Sequence, residues 1–463
     1  MIKDTHSTIC ALITPAGRGA VAVIRLSGKN TFPIIGKIFQ PRNKKKKISD
    51  AQTHSVHLGT ILDGNIQLDE VLVSVFRNPG SYTGEDVIEI SCHGSVFIQQ
   101  QLLKLLMANG ARMAEPGEFT MRAFLNGKLD LSQAEAVADI IASENEGSHK
   151  LALQQMRGEY STQIKRLRDE LIQFAAMIEL ELDFSEEDVE FANRSELKKL
   201  VENLQLKIKD LLSSFELGNV LKNGVPVVIA GKPNTGKSTL LNVLLMEERA
   251  IVSEIAGTTR DTIEDEITLQ GIRFRFVDTA GIRETKDVIE VIGVERTLEK
   301  IKTATIVIYL FDPGETNLEE LTSITTNLKA QNANVKLFVV ANKIDMFNES
   351  DVKIKYAGIE NLICISAKKK LYTHKLQQAL VDYILDAKSI SGENFVSNAR
   401  HAWALQQAHD SLQHVLDGLA KSISTDFIAA DIRHAINNLG EITGEVTNDH
   451  MLDFIFSKFC IGK

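Results

Sequence analysis

The sequence predicts a multidomain protein in which an α+β domain is followed by a helical domain that an α/β domain interrupts. The chain has 463 residues, enough for about three domains of roughly 150 residues each. Short β-rich runs occupy residues 1–118, whereas apolar residues at helical spacing dominate residues 119–216 and return in residues 386–463. Between the two helical segments, residues 217–385 alternate β-branched runs with helices, which is typical of a parallel sheet.

The N-terminal segment contains three runs with strand composition, AVAVIRLSG, LDEVLVSVF and GEDVIEISCHG. After the third run, Ile98, Leu102, Leu105 and Leu106 recur at helical spacing and predict a helix. This mixture of strands and helices indicates an α+β domain.

The two helical segments are expected to form one discontinuous domain. In the first, Ile164, Leu167, Leu171 and Phe174 step by three and four residues with charged residues between them. The second is poorly placed to form a core alone, so we expect it to pack on the first. The α/β domain is then an insertion, which is tolerated where its two ends lie close together.

Composition excludes several classes of protein. No apolar run approaches the roughly 18 residues of a membrane span, and the first residues predict neither a signal nor a transit peptide. The four cysteines form no C-x-x-C pair, which indicates a reducing cytoplasm rather than a disulfide framework or a zinc cluster. A net charge of −9 argues against nucleic-acid binding over the whole surface. The lysine run Lys44 to Lys47 favours a solvated loop over contact with RNA phosphate.

The strongest motif lies at the start of the α/β segment. In VPVVIAGKPNTGKSTLLN a β-branched run precedes Gly231-x-x-x-x-Gly236-Lys237-Ser238 and a helical pattern follows, the context that a phosphate-binding P-loop needs. The backbone N–H groups of such a loop wrap the phosphates at a helix N-terminus. Lys237 is expected between the terminal phosphates, and the Ser238 hydroxyl on Mg²⁺.

Two further motifs have the order that a nucleotide switch requires. FVDTAG ends a strand with Asp278 toward the metal, and Gly281 is free to meet the γ-phosphate. GTTRD at residues 257–261 supplies a threonine that closes on Mg²⁺ in the triphosphate state.

The last two motifs select guanine as the base. In VVANKID the sequence Asn342-Lys343-x-Asp345 offers a carboxylate that accepts from both N1–H and the exocyclic amine of guanine. Adenine lacks that pair of donors and would leave Asp345 unpaired. ISAK at residues 365–368 supplies the backbone that completes the base pocket. These motifs together predict a GTP-binding domain with the Ras-like parallel sheet of P-loop GTPases.

One position departs from the Ras pattern. Ile282 follows D-x-x-G where Ras-type GTPases have the glutamine that orients the attacking water. Asn234 in the P-loop is a neutral oxygen donor that could hold a monovalent cation in place of an arginine finger. The acidic residues after the motif leave the choice of water-orienting residue open among Glu284, Asp287, Glu290 and Glu295.

Several segments together resemble the MnmE family of tRNA-modification GTPases, also called TrmE, from end to end. They are PAGRGAVAVIRLSG, SYTGEDVIEISCHG, PGEFTMRAFLNGKLDLSQAEA, GKPNTGKS, GTTRD and the C-terminal FCIGK, of which the last is specific to the family. The resemblance implies that residues 1–118 form a domain similar to the tetrahydrofolate-binding domain of aminomethyltransferases, which also dimerises the protein. Residues 119–216 and 386–463 would be the helical domain, and residues 217–385 the inserted G domain.

The resemblance also implies a function. A bacterial cytoplasmic homodimer, with the FAD-dependent partner MnmG, would add a carboxymethylaminomethyl or aminomethyl group to the wobble uridine of certain tRNAs. A formyl- or methylene-tetrahydrofolate would supply the one-carbon unit. The G domains would pair across the dimer with K⁺, and GTP hydrolysis would drive the modification.

Carried over to matching positions, the resemblance assigns roles to individual residues. The catalytic glutamate would be Glu290, and the folate contacts Arg25, Glu89, Lys128 and Lys463. The K⁺ ligands would be Asn234, Ser253, Ile255 and Thr258, and the Mg²⁺ ligands Ser238 and Thr259. With the motifs, the GTP-binding residues become Asn234, Thr235, Gly236, Lys237, Ser238, Thr239, Ser253, Thr258, Thr259, Asp278, Thr279, Ala280, Gly281, Asn342, Lys343, Asp345, Ser366, Ala367 and Lys368.

The C-terminal tail FCIGK has three interpretations: a prenylation signal, a frayed end or a functional tip. Gly462 and Lys463 do not suit a prenylation signal. We favour a functional tip in which Cys460 lies near the folate with a catalytic, supporting or redox-sensitive role and Lys463 binds the folate.

A second function stays open from the sequence. The chain could be a GTP-controlled RNA-binding or ribosome-assembly switch without transfer chemistry of its own. The N-terminal domain and the tail favour the enzyme, since a pure switch has no need of either.

Overall fold

The computed structural model describes residues 6–43, 45, 47–183, 194–249, 265–277, 300–332, 335–391, 396–421 and 423–463. They fall into two compact units. The first comprises Met1–Ala142, Leu153–Glu202 and Gln407–Lys463, and the second comprises Ser143–Ala152 and Asn203–Gln406.

The elements are numbered in chain order within the described residues. The strands are β1 Ile9–Leu12, β2 Val21–Ser27, β3 Phe39–Pro41, β4 Ser55–Asp63, β5 Ile66–Phe76, β6 Val87–His93, β7 Arg112–Met113, β8 Val225–Ala230, β9 Asp265–Leu269, β10 Ile272–Phe276, β11 Ile306–Phe311, β12 Lys336–Ala341 and β13 Leu362–Cys364. The helices are α1 Thr31–Ile38, α2 Val96–Ala108, α3 Glu118–Leu125, α4 Leu131–Ala142, α5 Glu146–Met156, α6 Glu159–Asp183, α7 Arg194–Asn223, α8 Lys237–Arg249, α9 Leu318–Gln331, α10 Glu349–Lys355, α11 Thr373–Ser391, α12 Ala399–Ala420, α13 Thr425–Thr443 and α14 Asp449–Phe456. Short 3₁₀ helices span Ile48–Asp50 and Ile344–Met346.

The first unit contains a seven-stranded sheet in the order β3-β4-β5-β6-β2-β1-β7. On β5, Val71 and Val73 are buried while Glu70 and Leu72 are exposed on the other face, as the two-residue period of a strand requires. Leu102 and Leu106 of α2 join the buried valines in one core. This confirms the predicted α+β N-terminal domain.

The helices of the first unit come from two separate segments of the chain, which pack against each other. Leu131 of α4 packs in one apolar cluster with Leu452 and Phe456 of α14. An ion pair between Arg433 of α13 and Glu179 of α6, 3.0 Å from Nη1 to Oε1, lies on the exposed side. The C-terminal helices therefore pack on the earlier helical segment, as predicted.

The second unit contains a six-stranded sheet in the order β13-β12-β11-β8-β10-β9. Only β9, paired with β10, is antiparallel among these described strands, and the other neighbours are parallel. All six residues of β11 are buried, as expected for a central strand covered on both faces. The fold is that of an inserted P-loop GTPase-like domain, which confirms the predicted α/β class. In such sheets ligands bind beyond the carboxyl ends of the strands.

Candidate functional site

The P-loop follows β8 and ends at Lys237, the first residue of α8. Lys237 Nζ donates to the carbonyl oxygens of Gly231 and Lys232, at 2.8 Å each. Burial lowers the pKa of Lys237 below its ordinary 10.5 because the apolar surroundings disfavour the ammonium. The ammonium is thus held inside its own loop, where a bound phosphate would stabilise its charge.

Some of the remaining residues of this segment stabilise the loop, and others are exposed to a ligand. The Thr235 hydroxyl donates to the Lys232 carbonyl at 2.8 Å and is buried, so it closes the loop. Asn234 is exposed at the tip in the left-handed conformation, with φ 61°. Ser238 and Thr239 lie in the first turn of α8, with Ser238 half-buried and Thr239 exposed.

Asn342 joins the P-loop to the base-pocket loop. Its Nδ2 donates to the Thr235 carbonyl at 2.8 Å, and its Oδ1 accepts from the Ala367 N–H at 2.9 Å. A methyl group built on Gly236, which has φ 95°, would overlap Asn342 Nδ2, so this close approach requires glycine. Three of the predicted motifs therefore meet at one buried amide.

Lys343 is held by an acid that the sequence analysis did not single out. Its Nζ lies 2.7 Å from Oδ2 of Asp312, which directly follows β11. This hydrogen bond raises the pKa of Lys343 above 10.5. Asp312 also accepts from the Gly314 N–H at 2.9 Å. An acidic residue immediately after an apolar strand was the signal that could have identified it.

The remaining base-pocket residues surround Asn342. Asp345 lies in the 3₁₀ helix Ile344–Met346 and is exposed, so its carboxylate is available to a ligand. Ser366 is buried and Lys368 is exposed. The Ile344 N–H donates to the Ile365 carbonyl at 3.1 Å, which ties the N-K-x-D and S-A-K segments together.

Part of the predicted site lies outside the described residues. These positions stay predictions: Ser253, Ile255, Thr258, Thr259, Asp278, Thr279, Ala280, Gly281 and Glu290.

In the first unit, two of the predicted folate contacts form an ion pair. Arg25 on β2 lies opposite Glu89 on β6. Arg25 Nε and Nη2 both donate to Glu89 Oε1, at 2.9 and 2.8 Å. The guanidinium carbon lies 5.1 Å from the ring centre of Tyr82 and 5.5 Å from that of Phe119. Neither ring was predicted, because their approach depends on the tertiary fold.

The C-terminal tail packs next to this pair. The Phe119 N–H donates to the Lys463 carbonyl at 3.1 Å, and Pro116 forms an isolated bridge with Ile461. Gly462 has φ 100°, and a methyl group on it would overlap the Leu12 carbonyl of β1. The tail is therefore docked on the N-terminal domain rather than frayed.

Lys128 and Cys460 were also predicted at this site. The Lys128 side chain passes Gly84, in the loop that carries Tyr82; a Cβ on Gly84 would lie 3.4 Å from Lys128 Cε. Cys460 has an exposed side chain, and its carbonyl accepts from the Gly117 N–H at 3.4 Å.

A buried network of charges lies beneath the tail and also escaped prediction. Glu118 is 3% exposed and accepts from Arg122 Nη2 at 2.8 Å and from Arg112 Nη1 at 2.7 Å. Burial acts to raise the pKa of Glu118, but hydrogen bonds from Arg112, the Glu115 N–H and Arg122 outweigh it and hold that pKa below 4.5. Arg122 also pairs with Glu85, 3.1 Å from Nη1 to Oε1. This ion pair links helix α3 to the loop that carries Tyr82.

Cys92 and His93 are neighbours on β6 but do not form a thiol–imidazole pair. Cys92 is buried while His93 is exposed, so the two side chains face opposite ways. Burial raises the pKa of Cys10 to about 12 and that of Cys92 to about 11, which leaves both as thiols. The described residues contain no group of three or more His, Cys, Asp or Glu side chains that could hold a metal ion. None of the described helices is long and apolar enough to cross a bilayer.

Comparison with known proteins identifies the family to which this chain is related. The GTP-binding protein TrmE N-terminus matches residues 8–128, and the MnmE helical domain matches residues 131–460. The tRNA modification GTPase MnmE of Cytophaga hutchinsonii is 54% identical over 462 residues, covering 100% of this chain and 99% of its own length. That of Flavobacterium psychrophilum is 51% identical over 460 residues, with 99% of each chain covered.

This chain belongs to the MnmE family. Its first unit holds the family's N-terminal domain, and the P-loop lies in the GTPase-like domain that interrupts the MnmE helical domain. A third relative, the tRNA modification GTPase MnmE of Bacteroides fragilis, is 50% identical over 465 residues, with 99% of this chain and 100% of its own length covered.

Proposed function

We propose that this protein is a GTP-hydrolysing tRNA modification enzyme. With an FAD-dependent partner, MnmG, it adds a carboxymethylaminomethyl or aminomethyl group to the wobble uridine of certain tRNAs. A tetrahydrofolate derivative supplies the one-carbon unit. The protein acts as a cytoplasmic homodimer that pairs through its N-terminal domain. The names of its relatives, each a tRNA modification GTPase, support the tRNA substrate and the GTPase activity.

The observation that carries the proposal is the docked tail. Lys463 lies against Phe119, whose ring flanks the Arg25–Glu89 pair. A folate presents a donor-rich pterin edge and an anionic glutamyl tail. Glu89 suits the pterin edge as an acceptor, while Arg25, Lys128 and Lys463 suit the anionic part. Cys460, which is exposed, belongs to the same docked tail. A switch without chemistry has no use for this arrangement, which favours the enzyme.

The nucleotide pocket fits GTP and its ions. The P-loop cradle, which admits no side chain at Gly236, holds the phosphates with Lys237, and Asp345 reads guanine. Ser238 with Thr259 would hold Mg²⁺, which neutralises phosphate charge.

The hydrolytic residues follow from the same proposal. Asn234, with Ser253, Ile255 and Thr258, would hold K⁺, which supplies the positive charge that an arginine finger provides elsewhere. Ile282 has no group that can orient the attacking water, and the family resemblance assigns that role to Glu290.

The modified nucleosides of tRNA test the proposal. We expect total tRNA from cells that lack this protein to lose the substituted wobble uridine and to accumulate its precursor. The wild-type gene should restore it, and Glu89→Gln should not. A nucleoside profile that is unchanged without the protein would leave the GTP-controlled switch as the better account.

A further inference from the structure

We infer that an exposed basic loop of the G domain binds the phosphate backbone of RNA. The loop begins with the base-pocket residues Ser366 and Ala367 and runs SAKKKLYTHK, with four lysines, one histidine and no acid in ten residues. We call its exposed basic and aromatic members the 368–375 patch; they are Lys368, Lys369, Lys370, Tyr372, His374 and Lys375. The inference rests on the proposed function, in which the substrate is a tRNA.

The charges of the patch are largely uncompensated. Within the described residues, Lys368, Lys369 and Lys370 form no ion pair. Lys375 reaches Glu349 at 3.8 Å, but that carboxylate is already paired with Lys353 at 2.7 Å. The first turn of α11, which begins at Thr373, contains no acidic residue. With four lysines and no acid in ten residues, the run is locally basic in a chain whose net charge is −9.

The backbone holds the lysines in place. Ser366 and Leu371 exchange two backbone hydrogen bonds of 3.0 Å, and the Lys370 N–H donates to the Ala367 carbonyl at 3.3 Å. Lys370 and Tyr372 both have positive φ, 54° and 60°. A closed turn of this kind displays adjacent lysines without the freedom of an open loop, which reduces the entropy lost on binding.

An aromatic ring completes the patch. Tyr372 is 37% exposed, and Lys375 Nζ lies 4.0 Å from its ring centre. Exposed aromatic rings among basic side chains suit nucleic acid, because bases stack on the ring while ammonium groups follow the phosphates. Lysine acts as a point charge without the bidentate fork of arginine. We therefore expect contact with the backbone and little reading of base sequence.

Salt-dependent binding of unmodified tRNA to the full-length protein tests this inference. We would compare wild type with Lys369→Gln/Lys370→Gln/Lys375→Gln, which leaves Lys368 and the base pocket unchanged. The matched control is Lys198→Gln/Lys199→Gln/Lys209→Gln, which removes the same charge from exposed positions of α7. A third variant replaces the three patch lysines by arginine and keeps their charge. Thermal unfolding checks that each variant is folded.

We expect the patch variant to bind tRNA about tenfold more weakly. The negative slope of log affinity against log salt should become shallower by about two, since each phosphate contact contributes roughly 0.7 to 0.9 to its magnitude. The control and the arginine variant should bind like wild type, and the loss should be equal for tRNAs of different sequence.

The contrary outcomes are distinct. If the patch variant keeps the affinity and salt slope of wild type, the patch does not bind RNA and the proposed function is unaffected. If the wild-type protein binds no tRNA, both the patch and the proposed function are wrong. If poly-glutamate displaces tRNA from the wild-type protein as effectively as an RNA competitor of equal charge does, the patch is a site for an acidic protein and not for RNA.

Discussion

Arg25 and Glu89 are cross-strand neighbours that form a two-bond ion pair. Arg25 Nε and Nη2 donate to the same oxygen, Glu89 Oε1, at 2.9 and 2.8 Å. The Arg25 and Glu89 side chains are 14% and 24% exposed, so the pair is shielded from water yet open to a ligand on one side. The second carboxylate oxygen of Glu89 is the acceptor that a donor-rich ligand can use.

Glu89→Gln should weaken binding of a reduced formyl-folate about ten- to hundredfold. The substitution replaces a charged acceptor, whose hydrogen bonds are worth about 1.5–3 kcal/mol, with a neutral amide. Isothermal titration calorimetry on the full-length protein measures the loss. Glu70→Gln is the matched control, because Glu70 is an exposed acid on the neighbouring strand β5. Equal affinity in the two variants would remove Glu89 from the folate site.

Gly462→Ala should undock the tail and abolish most folate binding. Its φ of 100° is strained for alanine, and the new methyl group would overlap the Leu12 carbonyl. Gly110→Ala separates the two effects, because Gly110 has φ 104° but open space around it. We expect Gly110→Ala to cost about 1 kcal/mol of stability and no folate affinity. If calorimetry gives the same affinity for both variants, the tail contact with β1 does not support the folate site.

Spacing along the chain pointed to the nucleotide pocket but not to the proposed folate site. The P-loop and N-K-x-D motifs are local, so spacing alone singled out Lys237 and Asp345. The link through Asn342 was not visible, because it joins residues 107 positions apart.

The residues of the proposed folate site meet through contacts of still longer range. Pro116 meets Ile461 only after the chain has folded, and spacing along the sequence carries no sign of that bridge. The sequence around Arg25 does not distinguish it from a surface residue, and only the family resemblance singles it out. The register of β2 against β6 makes it a partner of Glu89, and register is set by the whole sheet.

Asp345→Asn should change the base preference of the G domain. Guanine needs two acceptor oxygens, and an amide offers one acceptor and one donor, which suits the C2 carbonyl of xanthine. We expect GTP affinity to fall about a hundredfold or more and xanthosine triphosphate to bind better than GTP. Fluorescent nucleotide titration measures both. Asp351→Asn, an exposed acid in α10, should leave both affinities unchanged. Retained GTP preference in Asp345→Asn would show that another group reads the base.

If a K⁺ ion next to the phosphates takes the role of an arginine finger, as proposed, replacing K⁺ by Na⁺ at equal ionic strength should lower GTP hydrolysis at least about tenfold, because the smaller Na⁺ fits a K⁺-sized site poorly. Asn234 is exposed at the P-loop tip, where its side-chain oxygen can join such a site. The Asn234→Ala variant should hydrolyse GTP at the same low rate in K⁺ and in Na⁺. GDP affinity, measured in parallel, separates cation binding from loss of the nucleotide. Similar rates for wild type in K⁺ and Na⁺ would rule out a size-selective site.

Glu118→Gln should remove part of the acid sensitivity of the protein. The hydrogen bonds from Arg112 and Arg122 hold the folded-state pKa of Glu118 below 4.5. Its stabilising contribution is therefore complete above about pH 4.5 and is lost as pH falls through the folded-state pKa. At pH 7 the variant should lose about 3–5 kcal/mol, since two guanidinium groups lose their buried partner.

Urea unfolding at pH 7, 5, 4 and 3 provides the measurement. The stability difference between wild type and Glu118→Gln should shrink as the pH falls below 4.5, because the unfolded wild-type chain then binds a proton at Glu118 that the folded chain, with its lower pKa, does not. Glu115→Gln is the control, because Glu115 is exposed three residues earlier and should leave the pH profile unchanged. A difference that stays constant from pH 7 to pH 3 would mean that Glu118 stabilises the fold through packing rather than through its charge.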